Sequence, residues 1–113
     1  MKSEDIFGTA VFLSVAALMI GIGIYQYRSK KPVTFYTGEE PLPEDRYTDV
    51  SGWNKAHGRM WMVYGILIMA GSGAALMIGS ETPLCMVPYL AGVLLPLPGM
   101  ILIHKKLSDK YIK

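Results

Sequence analysis

Charged side chains are missing from three long stretches of this 113-residue chain, Ile6 to Tyr27, Met60 to Ser80 and Thr82 to Ile103. Each stretch is about as long as the roughly 20 helical residues that cross a hydrocarbon core about 30 Å thick. A lipid-exposed backbone must satisfy its own hydrogen bonds, and three short segments cannot close a barrel. The sequence therefore predicts an all-α protein, a bundle of three transmembrane helices.

Residues that bind metals or react with substrates are also scarce. Cys85 is alone, which excludes an intramolecular disulfide, and His57 and His104 are the two histidines. Two histidines without a cysteine or a suitably spaced carboxylate are a weak metal signal, so we expect no metal and no other cofactor. Proton relays and ion-coupled carriers usually need an ionisable residue at mid-membrane depth, and the three stretches offer none there. We expect neither catalysis nor transport by a monomer.

The basic residues that are present lie almost entirely on one side of the predicted membrane. Ten of the eleven fall between the first two stretches or after the third: Arg28, Lys30, Lys31, Arg46, Lys55, Arg59, Lys105, Lys106, Lys110 and Lys113. The positive-inside rule then predicts a cytoplasmic loop over 28–58, a cytoplasmic tail over 104–113 and an N-terminus outside. A net charge of +2 is too mild to suggest nucleic-acid binding.

The predicted architecture is one membrane domain with transmembrane helices at about 6–27, 59–79 and 83–103. Thr48, Asp49 or Ser51 can cap a helix, so we expect the second helix to begin about two turns before it enters the membrane. The third helix should be kinked near Leu95 to Gly99, because interior prolines remove helical hydrogen bonds. The prolines of this helix are Pro88, Pro96 and Pro98.

Small residues recur along one face of each of the first two helices, a pattern that lets helix backbones approach closely. They are Ala10, Ser14, Ala17 and Gly21 in the first helix, and Gly65, Ser72, Ala75 and Gly79 in the second, where Gly71, Ala75 and Gly79 also follow one another at four-residue spacing. The pattern predicts that these helices pack against each other or against a second copy of the chain, and a homodimer is our preference.

Aromatic residues and a histidine form a stripe at the start of the second helix. Trp53, His57, Trp61 and Tyr64 follow one another at spacings of four, four and three residues, so they share one face. One interpretation is an aromatic belt at the cytoplasmic membrane surface, where Trp and Tyr are favoured. The other is a binding site made of this stripe and Asn54. If the second and third helices are neighbours, His57 and His104 could also approach each other.

The segment Trp53-Asn-Lys-Ala-His57-Gly58, which follows a Pro/Thr/Gly stretch and runs into a membrane helix, resembles the conserved loop of the SdpI family. These are bacterial membrane proteins linked to immunity against a secreted toxin and to signalling through a repressor. The chain also looks like short three-helix membrane proteins of Gram-positive bacteria. The resemblance covers Pro32 to Tyr64. The family's Gly-x-Arg-Thr-Pro element corresponds here to Pro32-Val-Thr-Phe-Tyr-Thr-Gly38, without the arginine. The resemblance implies a multi-pass protein of the bacterial cytoplasmic membrane.

Three functional hypotheses follow. The first is a non-enzymatic membrane protein that binds a protein partner or lipid headgroups through its cytoplasmic loop, with Trp53, Asn54, His57, Trp61 and Tyr64 as binding residues. The second is an oligomeric small channel or transporter subunit built around the proline-broken third helix. The third is an enzyme acting on a lipid through His57 and the loop carboxylates Glu39, Glu40, Glu44, Asp45 and Asp49.

Overall fold

A computed structural model describes residues 3–34, 42–79 and 81–112. Within these ranges the chain is helical, and its strand-like pairing is confined to an isolated bridge between Tyr47 and Ile112. The α-helices are α1 (Ser3–Arg28), α2 (Val50–Ile78), α3 (Met86–Leu94) and α4 (Pro96–Tyr111), and short 3₁₀ helices span Glu44–Arg46 and Pro83–Cys85. The predicted all-α class is confirmed.

Three helical segments are long and apolar enough to cross a membrane: Ile6–Arg28, Val50–Ile78 and Pro83–Tyr111. Their outer surfaces carry large hydrophobic side chains, such as Met77 at 90% exposure and Leu95 at 75%. A water-soluble monomer rarely exposes so much contiguous apolar surface, whereas lipid accepts it without cost. Length, composition and surface together are those of a multi-pass membrane protein.

The central helix is α2, which packs against α1 and against α3, and less extensively against α4. At the α1 contact, a Cβ on Gly58 would lie 2.5 Å from the carbonyl oxygen of Gly23, and a Cβ on Gly65 would lie 2.7 Å from that of Ala16. Both distances are too short for real atoms. The glycines therefore let the two helices touch backbone to backbone.

The predicted packing of the first helix against the second is confirmed, but on a different face of α1. The small residues Ala10, Ser14, Ala17 and Gly21 are all exposed, whereas Ala16 and Gly23 are buried. Small residues occur on more than one face of α1, and only the matching glycines of α2 decide which face is used. On α2 the prediction was better, since Gly65, Ser72 and Ala75 are buried. A contact between the exposed α1 face and a second copy stays a prediction.

A second close approach joins α2 to α3. A Cβ on Gly71 would lie 2.5 Å from the carbonyl oxygen of Pro88, and a Cβ on Gly92 would lie 2.9 Å from that of Leu67. In the short connection between the helices, the Thr82 side chain accepts a hydrogen bond from the Leu84 amide at 3.3 Å. This hairpin makes α2 and α3 neighbours, as its length predicts.

The third membrane segment is divided at Leu95, which directly precedes Pro96. Pro98 follows two residues after Pro96. Neither proline can donate the hydrogen bond that a helix would give to the carbonyls of Gly92 and Leu94. The carbonyl between those two, Val93, accepts a hydrogen bond from the Tyr64 hydroxyl at 2.8 Å. Leu95 itself keeps helical dihedral angles, φ −64° and ψ −36°. The division lies where the sequence predicts a disturbance, and a bend of the axis stays a prediction.

The described helices extend beyond the charge-free stretches. α2 begins at Val50, and Asp49 caps it by accepting a hydrogen bond from the Gly52 amide at 3.1 Å. This confirms the expected early start of the second helix and one of its three candidate caps. With 29 residues, α2 is roughly 43 Å long, which exceeds the hydrocarbon thickness by more than two turns.

We predict that Gly58→Ala lowers the free energy of unfolding by about 1–3 kcal/mol, because the added methyl meets the α1 backbone. Gly73→Ala is the matched control, since a Cβ there meets nothing within 4 Å. The control should be neutral or stabilising by up to about 1 kcal/mol. Reversible unfolding in detergent measures both. Equal effects of the two substitutions would contradict the backbone contact.

Candidate functional site

Asn54, on the first turns of α2, holds the chain that leaves α1. Its Nδ2 donates to the carbonyl oxygens of Ser29 at 3.0 Å and Lys31 at 2.8 Å, and its Oδ1 accepts from the Val33 amide at 3.0 Å. The side chain is 0% exposed, so these bonds replace water completely. An amide suits this position because it combines two donors with an acceptor.

Trp53 completes the attachment from the neighbouring position. Its Nε1 donates to the Val33 carbonyl at 2.8 Å, and its ring packs with Val33 and Tyr47 in a buried cluster. From α1, the Gln26 Nε2 donates to the Thr34 carbonyl at 3.0 Å. We call this set of bonds from Gln26, Trp53 and Asn54 to residues 29–34 the loop latch. It fixes the first part of the loop against two helices.

The two histidines meet directly behind the latch. The Nε2 of His57 lies 2.9 Å from the Nδ1 of His104, and the Nδ1 of His57 lies 2.9 Å from the Trp53 carbonyl oxygen. A carbonyl only accepts, so the His57 Nδ1 carries a proton. In the neutral pair, His104 then donates its Nδ1 proton to the His57 Nε2. The predicted approach of the two imidazoles is confirmed.

The end of α4 is tied to the start of α2 by backbone contacts. The Thr48 amide donates to the Tyr111 carbonyl at 2.7 Å, next to the bridge between Tyr47 and Ile112. Leu107, Tyr111 and Ile112 also pack against the cluster around Trp53. The start of α2, the latched loop and the end of α4 therefore form one interlocked unit, which we call the basic end.

The name reflects the distribution of charge. Every Lys and Arg in the part of the chain that the structure describes lies at or near this end: Arg28, Lys30, Lys31, Arg46, Lys55, Arg59, Lys105, Lys106 and Lys110. All nine are exposed. Acidic residues at the same end are fewer, namely Glu44, Asp45, Asp49 and Asp109. The surplus makes this surface positive.

The five residues predicted to bind divide into two groups. Trp53, Asn54 and His57 come together in the basic end, at 2%, 0% and 0% exposure. Trp61 and Tyr64 lie further along α2, where their rings pack edge to face with centroids 6.1 Å apart. The first group faces inward, so a partner would contact the loop that it holds. Whether any of the five binds a ligand stays a prediction.

Two of the three donors of the latch, Trp53 and Asn54, were singled out from the sequence, but the groups that they hold were not. The partners are backbone groups of Ser29, Lys31 and Val33, which no side-chain pattern reveals. Gln26 and Tyr47 were also missed. The signal in the sequence for these donors was the pair Trp53-Asn54, two side chains with hydrogen-bond donors at the start of a predicted helix.

The chemistry of the site is that of a structural hydrogen-bond network with one imidazole pair. Within the described ranges, no third His, Cys, Asp or Glu joins the two histidines in a group that could hold a metal ion. Of the loop carboxylates, Glu39 and Glu40 lie outside the described residues, as does most of the Pro32–Gly38 element. Glu44, Asp45 and Asp49 are exposed, and Asp49 serves as the cap of α2.

No family model, curated protein or solved structure matches the chain. The geometry and charge of the basic end are therefore the features of this chain that bear on its function.

We predict that Asn54→Ala releases the loop, because it leaves the Val33 amide and two carbonyls without their protein partner. Each of these groups that water does not reach should lower the free energy of unfolding by about 1–3 kcal/mol. Hydrogen exchange at the Val33 amide should become at least tenfold faster. Lys55→Ala, at the adjacent exposed position, is the control and should leave this amide protected. Unchanged exchange in Asn54→Ala would show that the latch does not hold the loop.

Proposed function

We propose that this protein is a non-enzymatic, multi-pass protein of the bacterial cytoplasmic membrane that binds an acidic segment of a protein partner at its basic end. The single observation that carries the proposal is the loop latch: three buried polar side chains fix a short segment of chain that carries two exposed lysines. Burying polar groups stabilises little overall, so their concentration at one place points to a need for a defined surface.

Preorganisation is the physical advantage of such a surface. A loop that is ordered before binding does not lose its conformational entropy when the partner arrives. Lys30 and Lys31 lie on the latched segment with their side chains exposed, while its backbone is bonded to Asn54. Charges of one sign in fixed positions favour a complementary acidic partner and speed its association.

The distribution of basic residues is the basis for the proposed orientation in the membrane. With the basic end in the cytoplasm, the proposed orientation has the N-terminus outside, the turn near Glu81 outside and the C-terminus inside. The resemblance to the SdpI family, whose members act in toxin immunity and signalling, supports a role in which a cytoplasmic surface is recognised by another protein. An SdpI-like immunity role is the more specific form of this proposal.

The orientation predicts which thiols a membrane-impermeant maleimide reaches in intact cells. Cys85, a free and half-buried thiol beside the outer turn, should be labelled without permeabilisation. A cysteine placed at Lys30, in a chain carrying Cys85→Ser, should react only after the membrane is opened. The reverse pattern would place the basic end outside and remove the proposed cytoplasmic partner.

Site-specific photocrosslinking in cells tests the docking proposal. A photoreactive residue at Lys30 should give a defined protein adduct, whereas the same probe at exposed Leu84, at the opposite end, should not. Lys31→Glu should reduce the Lys30 adduct at least fivefold, because it reverses a neighbouring charge, and the distant exposed substitution Met77→Ala should leave it unchanged. Identical adducts from both probe positions, or an adduct insensitive to Lys31→Glu, would contradict the proposal.

An oligomeric channel or transporter subunit is the second candidate, favoured by the division of the third membrane segment at Leu95. Interrupted membrane helices form substrate sites in several transporters. The small exposed residues of α1, including Ala10 and Ala17, offer a surface for assembly. This function predicts a defined oligomer by native mass spectrometry and solute flux in proteoliposomes that Tyr64→Phe alters, since that substitution removes the hydrogen bond beside the break. A monomer without flux would exclude it.

A further inference from the structure

A groove runs between α2 and α4 on the surface of the bundle and encloses about 380 Å³. Ala56, Val63 and Leu67 line it on α2, and Pro96, Gly99 and Ile103 line it on α4. These side chains are apolar. Gly99 leaves space in the groove, since a Cβ there would meet nothing within 4 Å.

The groove covers a particular depth of the membrane. Between Ala56 and Leu67, α2 advances roughly 16 Å, which is about half of a hydrocarbon core about 30 Å thick. The histidine contact between α2 and α4 fixes one end of this interval at the basic end. The other end reaches Pro96, near the division of the third membrane segment. The groove therefore spans about one leaflet, starting from the basic end.

Basic side chains stand where the groove opens toward the membrane surface. Arg59 lines the groove itself and is exposed. Lys106 lies one turn beyond Ile103 on the same face of α4 and is also exposed. Asp109 is a further turn away from the groove. The apolar groove, about one leaflet deep, matches an acyl chain, and the cations at its surface end match the headgroup of an acidic phospholipid.

We propose that this groove binds one phospholipid with an acidic headgroup from the leaflet at the basic end. One acyl chain lies in the groove between α2 and α4, and Arg59, assisted by Lys106, pairs with the phosphate and headgroup. Arginine suits this role because its guanidinium can bind phosphate oxygens in a bidentate manner. The proposal depends on membrane insertion of the helices but not on the protein partner proposed above.

A second copy of the chain is a poorer occupant. A helix from another copy would bring apolar side chains against the lower groove but would also have to cover the exposed Arg59 with an apolar surface or a carboxylate. The described acidic side chains lie at the ends of the bundle, in segments 44–49, 81 and 109. In a second copy held at the same membrane depth, the acidic segments 44–49 and 109 lie several residues further from the membrane centre than Arg59, so Arg59 would face apolar or basic side chains.

Native mass spectrometry of the purified full chain tests the proposal, with phosphatidylglycerol and phosphatidylcholine of identical acyl chains as probes. The wild type should retain one lipid and prefer phosphatidylglycerol. Arg59→Gln should reduce that preference about fivefold, the effect of one basic residue near an anionic membrane surface. Arg28→Gln, which removes an equally exposed charge from the end of α1, should leave the preference unchanged.

Filling the groove tests the acyl-chain part. Gly99→Leu should lower retention of both lipids at least tenfold, whereas Gly73→Leu, at an equally open glycine outside the groove, should not. Val63→Trp is a second blocking variant at an exposed position, for use if Gly99→Leu loses its helical circular dichroism.

Three results would overturn the proposal. The first is that the blocking variant, Gly99→Leu or Val63→Trp, retains as much lipid as the control Gly73→Leu. The second is the absence of a headgroup preference in the wild type, and the third is a dimer that the blocking variant dissociates. The last result would assign the groove to a second copy. Crosslinking from Lys30 is scored separately, so loss of lipid binding and loss of partner binding are distinguishable.

Discussion

Lipid surrounds apolar helices as favourably as other helices do, so a membrane bundle needs close backbone contact and internal hydrogen bonds to hold together. Here that requirement falls on α2. Gly58 and Gly65 admit the α1 backbone, and Gly71 admits α3. These close approaches place α2 at the centre of the bundle, between α1 and α3.

The basic end depends on that packing. Because Gly58 brings α1 against the first turns of α2, the residues after α1 pass close to Asn54 and Trp53. The Asn54 side chain makes three hydrogen bonds to this loop, and Trp53 and Gln26 each donate one more. The contact between the buried His57 and the half-buried His104, together with the backbone contact between Thr48 and Tyr111, connects the same unit to α4. A surface rich in lysine and arginine is thereby held on a defined frame.

The prolines of the third membrane segment have structural consequences on two sides. Toward α2, they remove the helical amide donors of the carbonyls on either side of the one that accepts from the Tyr64 hydroxyl. Toward the lipid, α4 continues from Pro96 with less contact to α2 than α3 has, and the missing side chain of Gly99 leaves the groove open. One local feature of the sequence thus contributes to both internal bonding and the proposed lipid site.

The sequence by itself determined the helical class, the three apolar stretches long enough to cross a membrane and the concentration of cations at one end, and it limited the cap of α2 to Thr48, Asp49 or Ser51. These properties depend on local composition and on the free energy of placing charge in hydrocarbon, and each residue type contributes to both independently of the fold. Only the tertiary structure decided that α1 presents Ala16 and Gly23 to α2, that Asn54 binds backbone groups near residue 31, and that Gly99 opens a groove. Those outcomes depend on which surfaces fit together in space, and helical spacing leaves several faces equally possible.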